Sequence, residues 1–315
     1  MKGLTDIPGI RVGHLSDYKA LTGCTVILCE AGAVAGADIR GSATGTEEFD
    51  VLNPMHVTDK IHAVVFSGGS AFGLETASGV RRYLERKGAG YAFGKHVIPI
   101  VPAAILFDLG IGENHRHPTR EMGEAAAAAA TANSVEEGCV GAGTGATVGK
   151  LLGMDHAMKS GIGTFTVTLP GGAMVSALVA VNALGDVRDP ANRAIVAGAR
   201  ISPESKEFAD TEKLMLSGKA ALPTHSNTTL AVIATNAKLS KVGATKLAQF
   251  AALGMARTIA PVNTSVDGDL VIALSLGSLE AQSDALGVAA ASALSEAILR
   301  AVRSARTLGG VPGLA

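Results

Sequence analysis

The dipeptide Asn227-Thr228 is the part of the sequence whose residue types suggest covalent chemistry most directly. A polar segment, Pro223 to Ser226, precedes it and a β-branched run, Thr228 to Asn236, follows it, which predicts a loop entering a buried strand. Cleavage between Asn227 and Thr228 would give Thr228 a free α-amine beside its hydroxyl, and such a threonine is a nucleophile with its own general base. An ordinary strand start, with threonines suited to a sheet, is the alternative.

Four polar residues elsewhere in the chain are candidates to assist that threonine. Asn182 ends an apolar run, where its amide either caps a turn or donates to a developing oxyanion. Asp267 and Asp269 precede an apolar strand and either form turn chemistry or orient the hydroxyl or ammonium of Thr228. Lys150 closes a glycine-rich segment, and a lone lysine there is also typical of a surface position.

That glycine-rich segment, Gly141 to Lys150, has the sequence GAGTGATVGK. It is not a P-loop, because Thr144 stands where glycine is needed and Leu151 stands where serine or threonine would hold magnesium. It matches GxGxxA from Gly141 to Ala146, but a poor strand precedes it and no acidic residue follows at a strand end, so dinucleotide binding is weakly supported. We interpret the segment as a glycine-lined cradle, with Gly143 as a candidate substrate contact.

A second glycine turn, Ser67-Gly68-Gly69-Ser70, joins a predicted strand to a predicted helix. Backbone N–H groups of such a turn point toward the helix N-terminus and can bind an anion or oxyanion. Gly68, Gly69 and the nearby Phe72 are therefore candidate substrate contacts. Any short connection between a strand and a helix has the same appearance, so this alternative remains open.

Hydrophobic periodicity supplies the elements that would position these residues. We predict strands at 23–29, 61–66, 228–236 and 270–276, and a hairpin formed by 164–169 and 173–181. Residues 97–108 contain two prolines, which predicts an edge strand or irregular chain. We predict helices at 71–85, 121–133, 239–260 and 279–306, with 203–217 partly helical. His115 and His117 lie in a polar loop without further ligands, so no metal site is predicted.

Composition narrows the class of protein. The chain has 315 residues, a net charge of −1 and three cysteines without a CxxC pair. We therefore expect no nucleic-acid partner and no membrane partner, and a reducing, cytoplasmic location. The first residues lack the apolar core of a signal peptide. Residues 160–185 carry no charge, but Leu169-Pro-Gly-Gly172 divides them, which favours a hairpin over a membrane span.

Several motifs in one order resemble the DmpA/P1 family, peptidase family S58, which includes L-aminopeptidase/D-esterases, β-peptidyl aminopeptidases and nylon-oligomer hydrolases. The motifs are GAGTGATVGK, NALGD, Asn-Thr-Thr and Asp-Gly-Asp, with further likeness at TDIPGIRVGH, GADIRG, SGGSAFGLE and VPAAILFDLG. The likeness extends over nearly the whole chain. It implies an α+β fold, a four-layer αββα sandwich like that of ornithine acetyltransferase, with the layers of N-terminal-nucleophile hydrolases but different connectivity.

The resemblance also implies roles for individual residues. Thr228 matches the nucleophile, Asn182 the oxyanion-stabilising position, Lys150 an active-site lysine, and Asp267 and Asp269 an acidic pair. It implies a single domain, 1–315, that cleaves itself into 1–227 and 228–315 and assembles into homotetramers or larger oligomers. One departure is Phe72, where some members have a tyrosine that donates a hydrogen bond.

We therefore expect a self-cleaving N-terminal-threonine amidohydrolase, or aminopeptidase, that needs no cofactor. It would release N-terminal or ω-amino acyl residues from small peptides, amides or esters through an acyl-enzyme. Two alternatives remain from other classes: an acyltransferase that uses the same threonine, and an uncleaved protein that binds a small molecule. A nicotinamide-binding enzyme, based on GxGxxA alone, is a more distant alternative.

Overall fold

The computed structural model describes residues 2–113, 115–218 and 227–315. The segment Pro223 to Ser226, predicted to lead into the strand at Thr228, lies outside the described residues. Five α-helices are formed within these ranges: α1 (Glu75–Arg86), α2 (Arg120–Ala129), α3 (Thr211–Leu216), α4 (Lys241–Thr258) and α5 (Ser283–Arg303).

The strands of the described ranges are β1 (Arg11–Asp17), β2 (Thr22–Ile39), β3 (Gly45–Glu47), β4 (Lys60–Ser67), β5 (Tyr91–Phe93), β6 (His96–Ile98), β7 (Ala103–Ile105), β8 (Thr147–Val148), β9 (Met158–Lys159), β10 (Ile162–Thr168), β11 (Met174–Asn182), β12 (Asp186–Arg188), β13 (Ile195–Ala197), β14 (Thr228–Ala237), β15 (Ile259–Ala260) and β16 (Leu270–Leu279). The main sheet has the order β10-β11-β14-β16-β2-β4-β7-β3, and β1 also pairs with β2. Strands β14 and β16 are parallel neighbours at its centre.

The long strand β2 divides this sheet into two halves. Its first part, up to Leu28, pairs with β1 and β4, and its last part, Val34 to Ile39, pairs with β16. The register between β2 and β4 shifts between Leu28 and Ala33. One half therefore contains β1, β4, β7 and β3, and the other contains β16, β14, β11 and β10.

Three hydrophobic clusters show how the layers stack. The central cluster joins Ile27 and Phe66 from one half of the sheet to Leu178, Leu230 and Ile272 from the other. Helices α4 and α5 cover the outer face of the β10-to-β16 half, and α1 and α2 cover the outer face of the other half. The order helix, sheet, sheet, helix confirms the predicted αββα sandwich.

Most of the element predictions are confirmed, with two corrections. The strands 61–66, 228–236 and 270–276 are present, and so is the hairpin, as β10 and β11. The strand predicted at 23–29 is wrong in length, because β2 continues through the glycine- and alanine-rich residues to Ile39. Residues 203–217 are helical only in α3, because an aspartate N-cap at Asp210 starts the helix late.

Helix α5 is long and apolar enough to cross a membrane by length and hydropathy alone. In the fold it packs against β10, β11 and α4, and most of it is buried in the core. Its apolar character is therefore explained by its position as a core helix.

Candidate active site

Thr228 is placed by the convergence of three strand ends. It is the first residue of β14 and pairs directly with Asn182, the last residue of β11. On its other side, Asn227 forms a parallel bridge with Asp267, just before β16. The threonine side chain is 3% exposed. The predicted nucleophile thus lies at one edge of the central strands, enclosed by polar residues that the sequence separates widely.

The peptide carbonyl before Thr228 is held from two sides. The Thr228 hydroxyl donates a short hydrogen bond to the carbonyl oxygen of Asn227. The backbone N–H of Gly268 donates to the same oxygen at 2.9 Å. A Cβ atom at Gly268 would lie 2.8 Å from the Thr228 hydroxyl oxygen, closer than ordinary contacts allow. Glycine at this position therefore lets a backbone donor and the hydroxyl meet at one carbonyl.

The two carboxylates beside that glycine are buried and fix the surrounding backbone. Asp269 accepts hydrogen bonds from the N–H of Thr229 at 2.5 Å and of Asn263 at 2.9 Å. Asp267 accepts one from the N–H of Thr264 at 3.0 Å. Burial, and then the charge of Asp267, raise the pKa of Asp269 to about 7. The Asp269 carboxylate thus holds the backbone just after Thr228, and the Asp267 carboxylate holds the loop that leads into β16.

Lys150 is buried, so the alternative that it is a surface lysine is wrong. Its Nζ donates to the backbone oxygen and to the side-chain oxygen of Asn182, each at 2.9 Å. Burial lowers its pKa to about 7, against the charges of Asp267, Asp269 and Asp108, which raise it. An amine with such a pKa can gain or lose a proton near neutral pH.

The side chain of Asn182, which accepts from this lysine, also bonds to two other segments of the chain. Its Oδ1 accepts from the N–H of Thr147 at 3.1 Å, and its Nδ2 donates to the carbonyl oxygen of Phe107 at 2.9 Å. The structure thus brings Thr228, Asn182 and Lys150 into one continuous arrangement, with Asp267 and Asp269 on the other side of Thr228.

The four predicted substrate contacts are dispersed. Gly69 donates its N–H to Asp108 at 2.7 Å, and Gly68 packs tightly against the same carboxylate. Gly143 packs against the backbone at Ile162.

Phe72 is 61% exposed and stacks on His117 with ring centroids 4.3 Å apart. It lines a surface pocket with Glu75 and Arg116, while Asp108 and Lys150 line a separate cavity. Substrate contact by these four residues stays a prediction.

Two residues of the site escaped the sequence analysis. Gly268 lies between Asp267 and Asp269, and only these two acidic residues were predicted to be functional. A glycine between them indicates a close approach of the backbone. Asp108 ends the apolar run 97–108, and a carboxylate at such a position is itself a signal of a buried polar site.

Within the described ranges, no three His, Cys, Asp or Glu side chains form a group suited to a metal ion.

Comparison with known proteins agrees with the fold. The model of peptidase family S58 matches residues 2–315. The chain belongs to peptidase family S58. It is therefore a hydrolase that acts on peptide or amide bonds, and the resemblance carried by the motifs is confirmed.

Two named relatives and one solved structure are similar to the chain over most of its length. The chain is 38% identical to an uncharacterized aminopeptidase of Mycobacterium leprae, over 99% of this chain and 93% of that protein. It is 29% identical to a 6-aminohexanoate-oligomer endohydrolase of a Kocuria species, over 95% of this chain and 85% of that protein. The structure of an L-aminopeptidase D-Ala-esterase/amidase from Ochrobactrum anthropi, a variant of the Ntn-hydrolase fold, superimposes with a TM-score of 0.72 at 18% identity, covering 99% of this chain and 88% of that one. This last likeness shows the shared fold.

Proposed function

We propose that the protein is an amidohydrolase that cleaves its own chain between Asn227 and Thr228 and then uses Thr228 as an N-terminal nucleophile. One observation carries the proposal. The Thr228 hydroxyl lies against the carbonyl of the preceding residue, and the N–H of Gly268 donates to the oxygen of that carbonyl. A nucleophile, an electrophilic carbon and a donor for the developing negative charge are thus assembled at one peptide bond.

The self-cleavage proceeds in two steps, an N→O acyl shift and an ester hydrolysis. The Thr228 hydroxyl gives up its proton to a base as its oxygen attacks the Asn227 carbonyl carbon; the C–N bond then breaks, and the nitrogen of Thr228 takes that proton back from the base and becomes an amine. The resulting ester between Asn227 and Thr228 then reacts with water. This gives a carboxylate at Asn227 and returns the hydroxyl of Thr228, now beside a free α-amine.

The precursor needs a base from elsewhere, because the nitrogen of Thr228 is still an amide and cannot accept a proton usefully. Lys150, with a pKa of about 7, is partly neutral at neutral pH. Its Nζ is hydrogen-bonded to Asn182, which pairs with Thr228 across the two strands. We assign it the acceptor role in the precursor. The buried pair Asp267 and Asp269 sets the charge that Lys150 experiences and fixes the flanking backbone.

The mature enzyme turns over substrate through an acyl-enzyme. The α-amine of Thr228 takes the hydroxyl proton, the hydroxyl oxygen attacks the substrate carbonyl, and the leaving amine takes the proton. Water then hydrolyses the ester and releases the acid. Asn182 stabilises the tetrahedral oxyanion, an interaction worth about 3–4 kcal/mol when a single donor is removed.

The substrates we propose are small peptides, amides or esters from which an N-terminal or ω-amino acyl residue is released. Support comes from the names of relatives, one an aminopeptidase and one a 6-aminohexanoate-oligomer endohydrolase.

We also propose that the cleaved protein works in the cytoplasm as a homotetramer or a larger oligomer. The exposed side chains of Tyr91, Phe93 and Ile98 on the β5–β6 hairpin support a subunit contact.

The decisive experiment is the intact mass of freshly purified protein under denaturing conditions. We expect two species, one ending at Asn227 and one beginning at Thr228, together with hydrolysis of aminoacyl amides. Thr228→Ala should give one uncut, inactive chain, while Thr228→Ser should still be cut because it keeps the hydroxyl. A wild-type protein that stays one chain for days at neutral pH, or a Thr228→Ala variant that is cut, refutes the proposal.

A further inference from the structure

A small cavity of about 100 Å³ lies beside the site, and the mechanism above gives no role to Asp108, one of its two charged lining residues. Its lining includes Lys150, Thr147 and Phe107, and each of these forms a hydrogen bond with the side chain of Asn182. Asp108 lines the same cavity. The cavity therefore lies directly against Asn182, the strand neighbour of Thr228.

The cavity adjoins a larger cleft of about 690 Å³, since Gly110, Ile111 and Met154 line both. The C-terminal residues Gly309 to Pro312 form another wall of this cleft. A substrate entering through the cleft would pass Met154 and meet Asp108 and Lys150 at the inner end.

Asp108 is a buried carboxylate that the surrounding residues hold in a fixed position. It is 4% exposed. One carboxylate oxygen accepts from the N–H of Gly69 at 2.7 Å, and the other accepts from the hydroxyl of Thr22 at 2.7 Å. A Cβ atom at Gly68 would overlap the carboxylate, and one at Gly145 would lie 2.7 Å from it. Two glycines thus let backbone from two segments close around this one group.

The charge of Asp108 has no ion-pair partner within the described ranges. Two lysines act on Asp108 electrostatically without bonding to it. The Nζ of Lys159 is bound to the carbonyl oxygens of Thr144 at 3.0 Å and Ala146 at 2.6 Å. Lys150 lines the same cavity, and its Nζ donates to Asn182. A buried carboxylate without a paired cation is costly. Burial accordingly raises the pKa of Asp108.

We propose that Asp108 binds the primary ammonium group of the substrate and so makes the enzyme selective for acyl groups that carry a free amine. This inference rests on the proposed function. A primary ammonium in the cavity supplies a directly paired cation and can donate to lone pairs that Gly69 and Thr22 leave available. The acyl carbon then lies on the Asn182 side of the cavity, toward Thr228.

The test compares amine-bearing substrates with matched substrates that lack only the amine. β-Alanyl, L-alanyl and 6-aminohexanoyl p-nitroanilides are compared with propionyl and hexanoyl p-nitroanilides. For the cleaved wild-type enzyme, we expect kcat/KM to favour the best amine-bearing substrate by about 30-fold or more, the range of a charge-assisted hydrogen bond.

Asp108→Asn should abolish most of this preference, and the loss should appear as a higher KM for the amine-bearing substrates relative to the propionyl or hexanoyl compound. Thr22→Val is the matched control, since it removes one hydrogen bond to Asp108 and keeps the carboxylate, and it should preserve the preference. A retained preference in Asp108→Asn, or an equal loss on both substrate types, overturns the proposal.

A second measurement covers the case in which Asp108→Asn does not fold. Inhibition of the cleaved wild-type enzyme by n-butylammonium is compared with inhibition by n-butanol, and we expect the ammonium to bind at least about tenfold more tightly. Equal inhibition overturns the proposal. Failure of the proposed function looks different: the chain stays whole, or the wild-type enzyme hydrolyses neither substrate type.

Discussion

The backbone N–H of Gly268 donates a 2.9 Å hydrogen bond to the carbonyl oxygen of Asn227, the residue before the proposed nucleophile. Strand pairing fixes this contact, because Asn227 and Asp267 form a bridge at the start of two parallel central strands. A donor held by a sheet is preorganised, so it needs no rearrangement as negative charge develops on that oxygen. The sheet itself therefore contributes to the chemistry proposed at Thr228.

Gly268→Ala should slow self-cleavage by at least about tenfold, because the added methyl group lies 2.8 Å from the Thr228 hydroxyl oxygen and must displace it or the donor. The measurement is the rate at which precursor made by cell-free translation is converted to two chains. Gly243→Ala, near the start of α4, is the control, since its Cβ atom would meet neighbours at 3.4 Å or more and should leave the rate unchanged. Equal rates for the two variants would show that the Gly268 contact has no part in cleavage.

The rate of self-cleavage should rise as the pH passes through about 7 and level off above it, because Lys150 must be neutral to accept a proton and burial lowers its pKa to about 7. Asp267→Asn should move the midpoint to lower pH. The negative charge of Asp267 raises the pKa of Lys150, so its removal lets the lysine lose its proton more readily.

Rates of precursor cleavage between pH 5.5 and 9 provide the test of that shift. The same substitution also lowers the pKa of Asp269, which Asp267 raises, so either titrating group gives a shift in the same direction. A midpoint that moves to higher pH contradicts the assignment.

Asn182→Ala should reduce kcat/KM of the cleaved enzyme by about 10²–10³, the loss typical of one oxyanion donor. Hydrolysis of an aminoacyl p-nitroanilide is the measurement, with thermal unfolding recorded in parallel because Lys150 also loses a partner. Asn236→Ala is the control, since Asn236 lies at the far end of β14 and its side chain, among the described residues, bonds to the backbone of Met174 and Gly172. Its kcat/KM should stay within about twofold of the wild type; an equal loss in both variants would remove the special role of Asn182.

Strands and helices with a simple hydrophobic pattern could be predicted from the sequence. Strand β14 is a β-branched run and β4 is a continuous apolar run, and both were found within one or two residues of their predicted bounds. Such strands are buried on both faces between helices and a second sheet layer, so their composition reports their position directly. The αββα order itself came from the family resemblance and was confirmed by the core clusters.

Contacts between distant segments were harder to predict. The continuation of β2 through Gly36 was missed because glycine is rare in strands, yet a Cβ atom there would overlap Thr245 on α4, so close packing of the helix requires glycine. Local sequence places Lys150 at the surface, since only the folded chain shows that Asn182 accepts two hydrogen bonds from it. The same holds for Asp108, whose partners come from residues 22 and 69.

The central position of β14 and β16 has a consequence for how the protein would come apart. Both strands lie between β11 and β2, so the chain after Thr228 is paired on each side with the chain before it. Under the proposed cleavage, unfolding would become the dissociation of two interleaved pieces, and refolding would become a bimolecular event that depends on concentration. Folding as a single chain would thus be open only to the uncut precursor, and at low concentration the mature protein would persist by the slowness of its separation rather than by its ability to reform.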